Sequence, residues 1–145
     1  MTKIYFACSI TGGRDNAQDY PLIVEHIKSA GVSVLSELFS DSTIDASKGF
    51  SISPDATPAE IWAWDLDWIR EADAIIAEVT QPSLGVGYEI AKAHQWDKPV
   101  LALYRSQEGR KLSSMIVGSP NVEVCEYQDV MQTKVAIESF LQKFA

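Results

Sequence analysis

Apolar runs of strand length alternate with helix-period patterns along the whole chain, and this alternation narrows the possible folds more than any other feature. Lys3 to Cys8 reads as a first strand and leads into the loop SITGGRDN. From Tyr20 to Ala30 the apolar residues Ile23, Ile27 and Ala30 recur at helical spacing, with Pro21 near the start and Gly31 just past the end. Gly31 to Leu35 supplies a second strand. The stretch from Phe39 to Pro58 is polar and rich in Ser, Asp and Thr, and reads as a mobile loop beside the site. Thr57-Pro58-Ala59-Glu60 is a capping box with proline at the first helical position, predicting a helix that runs to about Glu71. Asp73 to Val79 is a short continuous apolar strand, of the kind buried on both faces. A helix near Val86 to Trp96, a strand from Pro99 to Tyr104 and a short helical piece over Leu112 to Val117 follow. A strand from Val122 to Cys125 and an amphipathic helix from Val130 to Phe144 complete the series.

Strand and helix in strict alternation imply an α/β fold, a parallel sheet with helices on both faces. Five strands suggest the flavodoxin-like (Rossmann-like) order 2-1-3-4-5. Ligands of such sheets sit beyond the carboxyl ends of the strands, at the switch point between strands 1 and 3. The loops of interest are therefore SITGGR and TQPSLGVGYE.

At 145 residues, without internal repeat or linker, the chain reads as a single domain, residues 1–145. A net charge of −8 with no basic patch argues against a nucleic-acid polymer as partner, though a small anion can still bind where donors converge. Cys8 and Cys125 lie too far apart for a metal-ligand or redox motif and read as reduced core thiols. His26 and His94 are likewise isolated, so no metal is expected. With no membrane-length apolar run and no signal-peptide layout, a cytoplasmic location is expected.

Asp65 is the most informative single residue. Its helical neighbours three and four positions away are Ile61, Trp62, Trp68 and Ile69, all large and apolar. Burial there disfavours the charged carboxylate and raises its pKa, as a general acid requires near neutrality. Asp67, beside Arg70 and Glu71, reads as solvated. In SLGVGYE, Gly85 and Gly87 permit close approach of a ligand to the backbone, and the following helix offers free N–H groups to an anion. Ser83 can cap that helix or donate to a phosphate oxygen. Glu89 by itself is open to two readings, a site carboxylate or a helix-surface partner of Lys92. The loop after strand 1 adds Arg14 and the hydroxyls of Ser9 and Thr11. Tyr5, inside the strand, reads first as a core aromatic, and the tryptophans Trp62, Trp64 and Trp68 as core or interface.

Together the segments KIYFACSITGGR, WDLDWIREADAIIAEVTQPSLGVGYE and GRKLSSMIVG resemble the 2'-deoxynucleoside 5'-phosphate N-hydrolases, relatives of the nucleoside 2-deoxyribosyltransferases. The resemblance fades across Phe39 to Ala56 and at the C-terminus. It implies hydrolysis of the N-glycosidic bond of a 2'-deoxynucleoside 5'-monophosphate through a covalent glycosyl-enzyme ester, without metal or organic cofactor. It assigns Glu89 as nucleophile, Asp65 as acid–base partner and Tyr5 as the residue placing the sugar and Glu89. Ser83, Gly85 and Gly87 would hold the phosphate. Ser9, Ile10, Gly12, Gly13 and Arg14 would lie near the nucleotide. A homodimer with shared sites is implied, Ser113 reaching the phosphate from the neighbouring subunit and Met115 lining the same pocket.

Ser83 stands where the transferases usually carry an aspartate, and a serine donates to a phosphate that an aspartate would repel. Val117 departs from the family pattern, which has arginine there. The rival readings are a deoxyribosyltransferase, a ribonucleotide N-glycosidase, and a non-catalytic nucleotide-binding module. A phospho-receiver would need acids after strand 1, where Cys8-Ser9 stand, and a flavodoxin a longer hydroxyl-rich loop.

Overall fold

A computed structural model describes residues 1–9, 17–35 and 56–144. Within these, the strands are β1 (Lys3–Ala7), β2 (Ser33–Leu35), β3 (Ala74–Glu78), β4 (Val100–Arg105) and β5 (Val122–Tyr127). The helices are α1 (Tyr20–Ser29), α2 (Pro58–Glu71), α3 (Leu84–Gln95), α4 (Ser114–Val117) and α5 (Gln132–Leu141). All strand pairs are parallel and the order is β2-β1-β3-β4-β5, as the alternation implies.

The central strands are apolar because both of their faces are covered. Ile4, Phe6, Ala74, Ile76, Leu101 and Leu103 pack with α1 and α5 in one layer. Their neighbours in sequence, among them Tyr5, Ala7, Ile75, Ala77 and Ala102, alternate into the other layer with α2 and α3. Truncating one of the fully buried isoleucines to alanine would cost about 2–5 kcal/mol.

Local signals mark the helix ends. Thr57 Oγ1 accepts from the Glu60 N–H while the Glu60 carboxylate accepts from the Thr57 N–H, so the capping box forms as its sequence requires. Gly31, at φ 81°, closes α1 with its N–H on the Lys28 carbonyl. Several boundaries differ from expectation by one to three residues, three of them for a visible reason. Helix α3 starts at Leu84 rather than Val86, because the Ser83 side chain caps it. Strand β5 continues to Tyr127, since Tyr127 is a core residue rather than part of a turn. Helix α5 is shorter than its amphipathic pattern, ending at Leu141 in a 3-10 turn over Gln142–Phe144. The polar stretch after β2 lies largely outside the described residues. Cys8 is buried as expected, whereas Cys125 is only half-buried, because β5 is an edge strand. No helix among the described residues is long and apolar enough to cross a membrane.

Candidate active site

Three side chains converge on the α2/α3 side of the sheet. Tyr5, 1% exposed, rises from β1 beneath the two helices, and its hydroxyl donates to Glu89 Oε2. Glu89 comes from the second turn of α3 and Asp65 from the middle of α2. The carboxyl groups are close enough for the Asp65 charge to act on Glu89 and on Tyr5. Asp65 Oδ1 is buried with no hydrogen-bond partner among the described residues. A buried acceptor left unpaired is costly and marks a place where a ligand supplies the missing partner.

Burial sets the protonation of all three. It pushes Asp65 up to about 6. Glu89 rises to about 8, chiefly by burial, with the Tyr5 hydrogen bond opposing and the Asp65 charge adding to the rise. Burial, then the two carboxylates, holds the Tyr5 phenol well above its ordinary value, so it stays a donor. Between about pH 6 and 8 the carboxyl pair therefore shares one proton, and the apparent values belong to the pair. A coupled pair of carboxyls, one protonated and one ionised, is the arrangement that breaks glycosidic bonds.

The surroundings of Asp65 differ in part from the helical-wheel expectation. Ile69 is fully buried, but Trp62 is 52% exposed and turns its Nε1–H to the Tyr88 hydroxyl at 3.2 Å, across the seam between α2 and α3. The apolar stripe is thus one-sided, and desolvation of Asp65 comes from the sheet side. Asp67 is exposed as expected.

At the top of α3, Ser83 Oγ accepts from the Val86 N–H at 3.3 Å, which leaves the Leu84 and Gly85 N–H groups without an intrahelical acceptor. A Cβ at Gly87 would meet nothing within 4 Å, and one at Gly85 would come only to 3.8 Å of Ser83 Oγ. Neither glycine has a positive φ. Packing requires neither of them, and each costs about 1 kcal/mol against alanine in a helix. What the glycines leave is open space beside free donors at a helix N-terminus, the ordinary form of an anion site. Gly85 and Glu89 are one turn apart on the same face of α3, separated along its axis by about 6 Å.

The opposite face of α3 borders a cavity of about 960 Å³. Ser83, Gly87, His94, Tyr104, Ser113 and Met115 line it, together with Arg110 and Lys111. No acidic residue is among its described lining, although the chain has 20. Met115 is 82% exposed and Leu84 96%, so the rim is apolar and open.

The chain matches the nucleoside 2-deoxyribosyltransferase family over residues 4–140. It belongs to that family. A 5-hydroxymethyl-dUMP N-hydrolase from Tetraodon nigroviridis is 37% identical over 146 residues, covering 98% of this chain and 96% of that one. The mouse (Mus musculus) protein of the same name is 38% identical over 142 residues, covering 98% and 79%. Among solved structures, a CMP N-glycosidase from Clostridium botulinum superposes with a TM-score of 0.66 at 18% identity, over 94% of this chain and 99% of that one. A 2-deoxyribosyltransferase from Bacillus psychrosaccharolyticus gives 0.66 at 17% identity, over 92% and 90%. At such identities the structures attest to the shared fold.

Against the residues expected of this family, the chain brings together Tyr5, Asp65 and Glu89, with Gly85 one turn before Glu89 on α3, while Ser83, the cap of α3, and Gly87 border the cavity. Ser9 is fully buried at the exit of β1, its Oγ without a partner among the described residues. Ile10, Gly12, Gly13 and Arg14 lie outside the described residues. Ser113 and Met115 stand across α3 from Glu89, on the cavity side; Ser113 Oγ accepts from the Met115 N–H at 3.2 Å as the cap of α4. Sequence reasoning missed Tyr104, which lines the cavity and whose buried hydroxyl has no partner among the described residues, because a strand tyrosine reads as core. It also missed Arg110 and Lys111, which no periodicity ties to the site.

Proposed function

We propose that this protein hydrolyses the N-glycosidic bond of 2'-deoxynucleoside 5'-monophosphates, releasing the free base and 2-deoxyribose 5-phosphate. The observation that carries the reading is the Tyr5–Glu89–Asp65 constellation, two coupled carboxyls with raised pKa values beside a helix N-terminus. Glu89 attacks the anomeric carbon as the bond to the base breaks, and Asp65 gives its proton to the departing base. Water then attacks the same carbon, Asp65 takes a proton from it, and Glu89 leaves as carboxylate. The shared proton favours Glu89 in the unliganded chain, but positive charge developing at the anomeric carbon favours Glu89 as the anion. The donated Tyr5 hydrogen bond does the same, and it leaves Oε1 without a partner among the described residues for the attack.

Ser83 and the free N–H groups of Leu84 and Gly85 receive the phosphate, one helical turn above Glu89. Ser113 and Met115, on the cavity side of α3, serve the site of a second copy in a homodimer under this reading. The cavity with Arg110 and Lys111 fits that role, giving a strongly acidic chain a locally acid-free place for an anion. A cytoplasmic location accords with a nucleotide substrate.

Chromatography of products tests the proposal. Purified protein is incubated with each deoxynucleoside monophosphate (5-hydroxymethyl-dUMP included, after the names of the relatives), the unphosphorylated nucleosides and the matching ribonucleotides, with and without an acceptor base. Free base and deoxyribose 5-phosphate from the monophosphates alone, abolished by Glu89→Ala, is the expected result. Base exchange on free nucleosides would make it a transferase and overturn the role given to Ser83.

A further inference from the structure

On the face of the sheet away from Glu89, a further buried carboxylate anchors a hydrogen-bond network of its own. Glu78, at the end of β3 and fully buried, accepts from the Thr80 N–H at 2.7 Å, from the Thr80 hydroxyl at 3.0 Å and from the Tyr127 hydroxyl. Thr80 Oγ1 in turn accepts from the Arg105 N–H at 2.8 Å. The Arg105 guanidinium donates to Asp19 Oδ2 from Nε at 3.1 Å and Nη2 at 2.8 Å, and to the Gln128 carbonyl from Nη1 at 2.8 Å. Asp19 is 4% exposed and immediately precedes α1.

Burying two carboxylates is expensive, and a hydrophobic replacement of a buried ion pair is often neutral or stabilising. Retaining them here needs a reason, and their placement gives one. The network joins the ends of β3, β4 and β5 to the start of α1, at the carboxyl edge where the site is built. Thr80 lies three residues before Ser83, so whatever fixes Thr80 fixes the turn that caps α3. Asp19 ends the connection that follows β1. Hydrogen-bonded charge networks fix direction as well as distance, which apolar packing at this edge would not.

We infer that Asp19, Glu78, Thr80, Arg105 and Tyr127 form a brace that positions the phosphate-binding turn at the start of α3 relative to the ends of β3, β4 and β5. The inference rests on the proposed phosphate site. These are positioning residues: they act on substrate binding through Ser83 and the α3 N-terminus, and leave the carboxyl pair alone. Tyr127→Phe removes one donor from Glu78 without changing the ring, and Asp19→Asn weakens the grip on Arg105 while keeping its size.

The test measures, for wild type and both variants, kcat and KM on the preferred monophosphate and the inhibition constants of inorganic phosphate and of the free deoxynucleoside. The expected result is a rise of about tenfold in KM and in the phosphate constant, the worth of one hydrogen bond to a charged group. The nucleoside constant and kcat should stay within about twofold. Should Tyr127→Phe fail to fold, Asp19→Asn carries the test alone. Variants that melt earlier yet bind phosphate like wild type would make the network a stability device and overturn the inference. A loss confined to kcat would do the same, placing its effect on Glu89. Wild-type protein that turns over no monophosphate and is not inhibited by phosphate would instead overturn the functional proposal, and the brace's role with it.

Discussion

Glu89→Gln should make the protein more stable, and the gain should depend on pH in a defined way. The folded chain holds the Glu89 proton up to about pH 8, against an ordinary carboxyl value of 4.5. Between those limits the native state binds a proton that the unfolded state has lost, so stability falls as pH rises, by at most about 1.4 kcal/mol per unit. By pH 7 the accumulated cost is on the order of 3 kcal/mol. Below pH 4.5 both states are protonated and the cost vanishes. Glutamine keeps an oxygen for the Tyr5 hydroxyl but has no proton to lose, so it removes the slope. For a domain of this size that difference raises the melting temperature at pH 7 by roughly 10 °C. Asp65 contributes its own slope below about pH 6 in both proteins, and it cancels in the comparison. The assay is thermal and urea unfolding of the two proteins from pH 4 to pH 8.5. Curves that stay parallel over the whole range would refute the claim that burial, rather than the Tyr5 hydrogen bond, governs Glu89.

Three further outcomes follow from the same geometry. kcat/KM should be bell-shaped with limbs near 6 and 8, measured on the monophosphate, and Asp65→Asn should abolish one limb; a flat profile would remove the shared proton from the mechanism. Tyr5→Phe removes the hydrogen bond that lowers the Glu89 pKa, so the limb near 8 should move to higher pH and kcat fall by about 10–100-fold with KM little changed; a change in KM alone would show Tyr5 to be a binding residue. Ser83→Asp can still cap α3, so the fold should survive, while a charge repelling the phosphate should raise KM by about 100-fold or more. Unchanged kinetics there would move the phosphate elsewhere.

The sheet order was legible because its cause is local: each strand–helix unit carries its own hydrophobic period and its own punctuation. Thr57, Pro58 and Glu60 announce α2, and Gly31 announces the end of α1. Asp65 was legible for a similar reason, an acid in an apolar helical stripe, although the exposure of Trp62 shows that a wheel cannot say which neighbours are covered. Glu89 and Tyr5 were ambiguous as residues. Their hydrogen bond joins positions 84 apart, and only the resemblance linked them before the fold did. The Glu78 network was not legible at all. Glu78 looks like the last residue of an apolar strand, and Tyr127, Arg105 and Asp19 join its network from three other segments whose convergence is a property of the sheet.

The separation of Ser113 from Glu89 leads to the most discriminating prediction. Helix α3 carries Glu89 on one face and borders the acid-free cavity, with Ser113, on the other. In a two-fold dimer each site would combine Glu89 of one copy with Ser113 of the other. Glu89→Gln destroys the first contribution, and Ser113→Asp, which can still cap α4 but repels a phosphate, destroys the second. Each variant alone should be inactive. Mixed in equal amounts and allowed to exchange subunits, half the dimers become heterodimers with one intact site, so activity should return to about a quarter of wild type. Native mass spectrometry of the mixture, with one variant isotopically labelled, would establish that exchange had occurred. Exchange without recovery would mean that Ser113 serves its own chain. A Ser113→Asp protein that is fully active alone would remove Ser113 from the site altogether.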